Sequence, residues 1–416
     1  MMKKRILCVI SLTMFLMSCS TISDKHLVEI TPEKKVDNLL NKENRDILNN
    51  EKLSSMVFDR SNRKVNKNLK GVWVASIFSL DFSQTRPYDM DKQKAEIDNI
   101  VRNVKSMGLN AIFLQVKPSD TVIYPSKYHT WDKSLTGYEG TNPGYDPLEY
   151  FINSAHKKGI ELHAWINPYR ASLTNDTSKL SNKHVAKRHP EWCFEYNGKI
   201  YLNPGKPEVV EYLYKSIEEI VKNYNVDGIH LDDYFYPYPN EGKKIPNFDE
   251  EEYRKYGSKY ATIGDYRRAN VDELIKNLSV SVHKIKPNLI FGVSPFGIWR
   301  NVTQDENGSF TDGLSTYDDL YADVVKWMEN GWIDYVAPQI YWQVGHKKAD
   351  YKTLVNWWGE VARRTNTPLY IGEGVYKPEI NKKEELILHR NIRNENKNVN
   401  GYILFRYKLI NLEMMR

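Results

Sequence analysis

The chain has little cysteine, with three in 416 residues: Cys8, Cys19 and Cys193. It also has little excess charge, since 59 basic and 53 acidic residues leave a formal +6. That is too mild a balance to argue for nucleic acid as a partner. No H-x-H or H-E-x-x-H spacing offers a compact metal site, so the residues call for no metal and no cofactor. Glycine is missing where a dinucleotide-binding fold needs it: the segment after the first β-rich run reads Ser79-Leu80-Asp81-Phe82. An open nucleotide-binding sheet is therefore disfavoured. What is present in quantity is aromatic. Ten Trp, 28 Tyr and 13 Phe, 12% of the chain, suit a large core and stacking on sugar rings.

The N-terminus sets a basic cluster, Lys3, Lys4 and Arg5, before an apolar run from Ile6 to Met17. The run is too short for a mature membrane span of about 20 residues and reads as an export signal. It ends in Leu16-Met17-Ser18-Cys19, which resembles a bacterial lipobox, so cleavage before Cys19 and lipidation of its thiol are expected. An ordinary signal with a chance cysteine is the alternative. Losing residues 1–18 removes three basic groups and no acid, which lowers the formal charge from +6 to +3. With Cys8 lost and Cys19 lipidated, Cys193 has no intramolecular disulfide partner, so stability must come from the core. The expected location is outside the cytoplasm, anchored by lipid to a bacterial membrane.

Residues 19–68 are rich in Lys, Asn, Asp, Glu and Ser with little apolar periodicity, and read as a flexible tether. From residue 69 to 416 the pattern changes. Eight β-rich runs recur, at Gly71–Ile77, Asn110–Val116, Glu161–Pro168, Gly228–Tyr234, Ile290–Gly297, Tyr335–Trp342, Leu369–Tyr376 and Gly401–Tyr407. Helical periodicity fills the gaps, as in Ile97, Ile100, Val101 and Val104, and Met107-Gly108 and Lys158-Gly159 supply helix stops. Eight such units predict an α/β fold, a closed (β/α)8 TIM barrel. Only Lys408 to Arg416 follow the last strand, so the last helix should be short or missing.

Strand alternation assigns the faces. The uniformly apolar sets Ile112, Leu114, Val116 and Leu162, Ala164, Ile166 should pack under the helices, which turns a polar set inward: Gln115, Lys117, His163, Asn167, His230, Asp232, Ser294, Gln339, Tyr341, Tyr376 and Arg406. Buried polar groups are costly unless paired, so this many on one barrel imply a shared polar site, with His163 and His230 deeper and equally readable as layer filling. Asp232, inward and at a C-terminal strand end, is the first acid. A glycosidase needs a second carboxyl, and three stand open: Asp233 next to it, Glu373 between Gly372 and Gly374, and Asp120 after the second strand. Tyr169, Arg170, Trp299 and Trp342 lie in the loops beyond the strand ends, where barrel enzymes place substrate contacts.

At Gly71-Val72-Trp73-Val74, Leu114 to Asp120, His163 to Arg170, Asp227 to Tyr234, Gly292 to Arg300 and Ala337 to Trp342, the chain resembles the glycosyl-hydrolase-like family 10 lipoproteins. This resemblance covers residues 70 to about 405. It implies a barrel glycosidase of the cell envelope acting on an amino-sugar polymer, with peptidoglycan glycan strands freed of their peptides as substrate. The fourth run is also similar to the chitinase-type family 18 signature, but has His230 in place of an Asp and Tyr234 in place of the acid Glu. Two other functions compete: a metal-dependent sugar deacetylase or amidase using His163, His230 and Asp232, and a glycan-binding lipoprotein without turnover.

Overall fold

A computed structural model describes residues 58–410 apart from 61, 62, 87 and 241. The signal segment, Cys19 and most of the tether lie outside the described residues. Eight parallel strands form a closed ring: β1 (Leu69–Val74), β2 (Ala111–Lys117), β3 (Glu161–Ile166), β4 (Gly228–Leu231), β5 (Ile290–Val293), β6 (Tyr335–Val336 and Gln339–Ile340), β7 (Leu369–Glu373) and β8 (Val399–Leu404). β8 pairs with β1 in register Gly401 to Leu69, and Val336 of β6 meets Leu369 of β7, which closes the barrel. All eight expected strands are present. β6 is broken where Pro338, lacking an N–H, cannot donate to the ladder, although its carbonyl still accepts from Gly372 N at 2.9 Å.

Seven main helices lie between the strands: α1 (Met90–Ser106), α2 (Pro147–His156), α3 (Pro207–Asn223), α4 (Ile263–Ile285), α5 (Val324–Glu329), α6 (Tyr351–Thr365) and α7 (Lys383–Glu395). Local chemistry fixes their ends. The Asp89 side chain accepts from Lys92 N at the start of α1, and Thr262 and Asp265 form a reciprocal capping box on α4. Gly108 and Gly159, after α1 and α2, take the left-handed φ (70° and 63°) that stops a helix. A 3-10 turn at Tyr407–Leu409 follows β8.

Two buried clusters confirm the face assignment. Ile112, Leu114, Val116, Leu162, Ala164, Ile166, Ile229 and Leu231 belong to the large shell between strands and helices. Trp73, Phe113, Trp165, Tyr335, Ala337 and Tyr370 fill the barrel interior. Aromatic residues outweigh the branched aliphatic Leu69, Ile290 and Ile403 in this interior, so it has ring edges and N–H groups to aim at whatever lies above it.

The last residues assigned to a tether by composition are instead packed under the barrel. Arg63 is buried and paired with Asp334 at the start of β6; Arg60 donates to Ile333 O at 3.1 Å, and Asn66 donates to Glu161 at 2.9 Å and accepts from Tyr370 at 2.6 Å. Composition could not show this, because these polar residues bind strand ends rather than water. The chain thus enters at the N-terminal face, opposite the mouth.

Candidate active site

The mouth holds a cavity of about 390 Å³. Asp232 continues the inward phase of β4, and because the strand ends at Leu231 alternation no longer turns Asp233 outward, so both acids line it. Asp232 is anchored from β3: Trp165 Nε1 donates to its Oδ2 at 3.1 Å, Asn167 Nδ2 donates to the same oxygen, and Tyr234 N donates to Oδ1 at 3.2 Å. Asn167 is in turn oriented by Gln115, whose Nε2 donates to its Oδ1 at 2.7 Å. Asp233 accepts from the Tyr238 hydroxyl.

Both acids are buried at 4% exposure, and burial disfavours their charged forms. It pushes Asp232 up to about 6, against the pull of Arg170 and its donors. Asp233 goes further, to about 7, through burial and then the negative charge of Asp232. Two buried neighbouring carboxyls resist ionising together, so the pair keeps one proton towards neutrality, and the three donors on Asp232 favour the charge there, the division of labour that acid-assisted bond cleavage uses.

The rest of the wall is half polar and half aromatic. Arg170 donates from Nε to Pro118 O at 2.8 Å and lies over the Tyr234 ring at 4.6 Å, which fixes a cation beside Asp232. Gln339 donates to Ser294 O at 3.0 Å, and both line the cavity. Trp73, Tyr341, Trp342, Tyr376 and Phe405 form the aromatic side, with Tyr341 stacked on Phe405 at 5.8 Å.

Several expected site residues are elsewhere. Glu373 is turned away from the mouth: alternation leaves it outward, paired with Arg393 and with His389 at 2.8 Å, and bonded to Tyr351 at 2.5 Å. The flanking glycines do not free it. A Cβ on Gly372 would meet Pro338 O at 2.9 Å and Trp73 at 3.1 Å, and one on Gly374 would meet Tyr341 at 2.9 Å, so these positions are small because the β6 backbone and the aromatic rings leave no room for a side chain. Asp120 is also outside the cavity, bonded to His129 at 2.9 Å and to Tyr212 at 2.9 Å. Burial alone would raise it, but His129 and Lys117 hold it at about 2. Lys117, lowered to about 8 by burial, ties down the β3 end through Asn167 O at 3.1 Å and Pro168 O at 3.2 Å. Tyr169 is packed in the outer shell, and Trp299 donates to Asp323 and stacks on Trp357. Arg406 reaches Asp81 instead of the centre.

His163 stacks on Phe113 with ring centres 4.5 Å apart, and His230 is held neutral by burial. His230 Nδ1 meets the Tyr335 hydroxyl at 2.7 Å, while Nε2 meets Ser294 at 2.9 Å and Trp73 at 3.2 Å. With both its nitrogens engaged, His230 forms no ligand set with His163 and Asp232. It is a spacer that sets Ser294 and Trp73 under the cavity. Sequence reasoning missed Trp165 and Trp73 because it searched the inward positions for polar residues only; both have the right parity, Trp165 donating its indole N–H to Asp232 and Trp73 donating to His230 while its ring lines the cavity. Replacing Trp165 by Phe keeps the ring and removes one donor to a charged acceptor, worth about 1.5–3 kcal/mol. The expected result is a rise of about one to two units in the acidic limb of the pH–rate profile, read by initial rates.

Comparison with known proteins places this geometry. Residues 68–386 match the family model described as glycosyl hydrolase-like 10. The chain belongs to that family. Glycosyl hydrolase YngK of Bacillus subtilis (strain 168) is 42% identical over 320 residues, covering 76% of this chain and 62% of the relative, so the chain spans less than two thirds of that protein's length. Glycosyl hydrolase DigH of Escherichia coli (strain K12) is 39% identical over 326 residues, covering 74% of this chain and 73% of the relative. Among solved structures, α-L-fucosidase isoenzyme 2 from Paenibacillus thiaminolyticus superimposes with a TM-score of 0.53 at 13% identity, covering 84% of this chain and 48% of that one. At that identity the likeness concerns the barrel alone, and it agrees with the fold built above. Within the glycosyl hydrolase-like 10 family, then, this chain has its two mouth carboxyls on consecutive residues at the end of β4.

Proposed function

We propose that the chain is an exported, lipid-anchored glycoside hydrolase that cuts peptidoglycan glycan strands from which the peptides have been removed. The observation that carries the reading is the acid pair: two buried carboxyls on one cavity, one of them held by three donors, facing an aromatic wall. In this mechanism Asp233, protonated near neutrality, donates to the glycosidic oxygen as the bond to the leaving sugar breaks. Ionised Asp232, held by Trp165, Asn167 and Tyr234 N, stabilises the positive charge that develops at the anomeric centre until a water adds its oxygen there and its released proton restores Asp233. Arg170, Gln339, Tyr341 and Trp342 orient the sugar. The resemblance read from the sequence motifs implies an amino-sugar polymer, and the export-type N-terminus with Cys19 would place the chain where such a polymer lies. Incubating the purified chain with peptide-free and peptide-bearing strands and reading the products by mass tests this. Shortened saccharides one water heavier at each cut, from the peptide-free strands only, are the expected result. Unchanged strand length after long incubation sinks the hydrolase reading, and equal cutting of both substrates sinks the substrate assignment.

A further inference from the structure

Five aromatic side chains are exposed among the described residues: Phe78, Tyr88, Tyr138, Phe310 and Tyr376. All five lie on loops that follow strands, at the same end of the barrel as the mouth. A scattering of exposed apolar residues is ordinary, but confinement of every exposed ring to one face is a pattern. Four of them are also neighbours around the ring. Strand order runs β7, β8, β1, β2; Tyr376 follows β7, Phe78 and Tyr88 follow β1, and Tyr138 follows β2, while Phe405 at the end of β8 fills the gap and lines the cavity. The arc faces β3 and β4, which carry Asn167 and the acid pair.

Phe78 is the most unusual of the four. It is 72% exposed although its backbone is left-handed (φ 53°, ψ 20°), and Ser79 after it is left-handed too (φ 53°). A bulky residue rarely adopts that conformation unless the surroundings impose it, and such residues gather at ligand-binding sites. Here the surroundings are hydrogen bonds. Ser76 Oγ donates to Gln115 O at 2.8 Å, Ile77 N donates to Gln115 Oε1 at 3.0 Å, and Gln84 donates to Ser79 O at 2.9 Å. The side chain of Gln115 that holds this loop also orients Asn167 on Asp232. The loop is therefore fixed relative to the acids, and it presents to solvent a phenyl ring that nothing in the core requires. The cavity, about 390 Å³, is at the small end of single-ligand pockets, so a polymer must leave it across the rim.

We propose that the rim over β7, β8, β1 and β2 is an extended subsite for the units of a glycan strand lying outside the cavity, with Phe78 as its chief stacking platform. This rests on the glycan-hydrolase reading above. The test compares wild type with Phe78→Ala, Tyr138→Ala and Phe78→Gly on long peptide-free strands and on a tetrasaccharide of the same repeat, together with thermal melts. Phe78→Ala raises KM for long strands about tenfold, the loss expected of one good aromatic contact, and changes kcat/KM on the tetrasaccharide by less than about twofold. Tyr138→Ala raises KM in the same direction and by less. Phe78→Gly loses the same affinity yet melts higher than wild type, because glycine accepts the left-handed backbone. Wild-type KM on long strands for Phe78→Ala, or a lower melting temperature for Phe78→Gly, overturns the proposal while leaving the hydrolase reading intact. If wild type cleaves neither substrate, the hydrolase reading fails on its own; co-sedimentation with insoluble peptide-free strands then decides, since equal retention of wild type and Phe78→Ala overturns the subsite as well.

Discussion

Asp233→Asn is expected to lower turnover on peptide-free glycan strands about a thousandfold, within the range that a positioned proton donor contributes. The amide has nearly the same shape and can still accept from Tyr238, so the cavity keeps its form and loses only the transferable proton. Burial is what makes the loss so large: at 4% exposure, no bulk water stands in for the missing acid. The same substitution is expected to raise the melting temperature at pH 7. The sign follows from linkage. A carboxyl whose folded-state pKa is raised, here from 3.8 to about 7, favours the folded state below its unfolded value and loses that advantage as pH rises through the folded value. At neutral pH the group is a liability, and the neutral amide removes it. Lost turnover with a higher melting point separates a spent catalytic group from a damaged fold. Lost turnover with a lower melting point would sink the assignment.

The pH profile follows from the same pair. Activity needs Asp232 ionised and Asp233 protonated, so the rate should fall below about 6 and above about 7, giving a narrow bell whose two limbs belong to the pair jointly. In Asp233→Asn the residual activity should lack the alkaline limb, because no proton remains to be lost there. Asp232→Asn acts in the opposite sense on its neighbour. Removing the negative charge that helps raise Asp233 lets that acid ionise at lower pH, so the alkaline limb moves down.

How much of this was readable in the sequence depended on whether regular backbone extended as far as the residue in question. The ring of strands and the inward phase of Gln115, Asn167, Asp232, Ser294 and Gln339 followed from alternation, because each is in or beside a paired strand. Asp233 could not be settled in the same way. Its entry into the cavity depends on β4 stopping at Leu231, an event of tertiary packing that period-two reasoning does not contain. Tyr169 and Trp299 lie beyond strand ends, where no period constrains direction, and the outer shell took both. Residues 58–68 looked like solvated tether, since composition does not distinguish an arginine in water from one paired with a buried aspartate at a strand end. The aromatic donors Trp73 and Trp165 had the correct parity and were passed over because a tryptophan counts as apolar until its N–H has a partner.

Glu373→Ala should have the largest effect on stability, about 3–5 kcal/mol, because it removes one partner of a buried ion pair and strands the others. The carboxylate is 1% exposed, and around it stand Arg393, His389 and Tyr351. Burial alone would raise its pKa, but Arg393 and His389 outweigh that and hold it below the usual range. By the same linkage, a depressed carboxyl contributes stability above its unfolded value and loses it as pH falls through the folded one. Wild type should therefore lose the contribution on acidification, and Glu373→Ala, having none to lose, should show a flatter acid limb in denaturant or thermal unfolding. The position of this cluster gives the experiment its force. It bolts α6 and α7 to the outer face of β7, on the side of the strand away from the mouth. The folded fraction of Glu373→Ala should consequently cleave with a kcat within about twofold of wild type and an unshifted pH bell, measured at low temperature where enough stays folded. A thousandfold loss of kcat in protein shown to be folded would instead make Glu373 the proton donor, and would require the β7 strand to turn over at Gly372 and Gly374 against the rings of Trp73 and Tyr341.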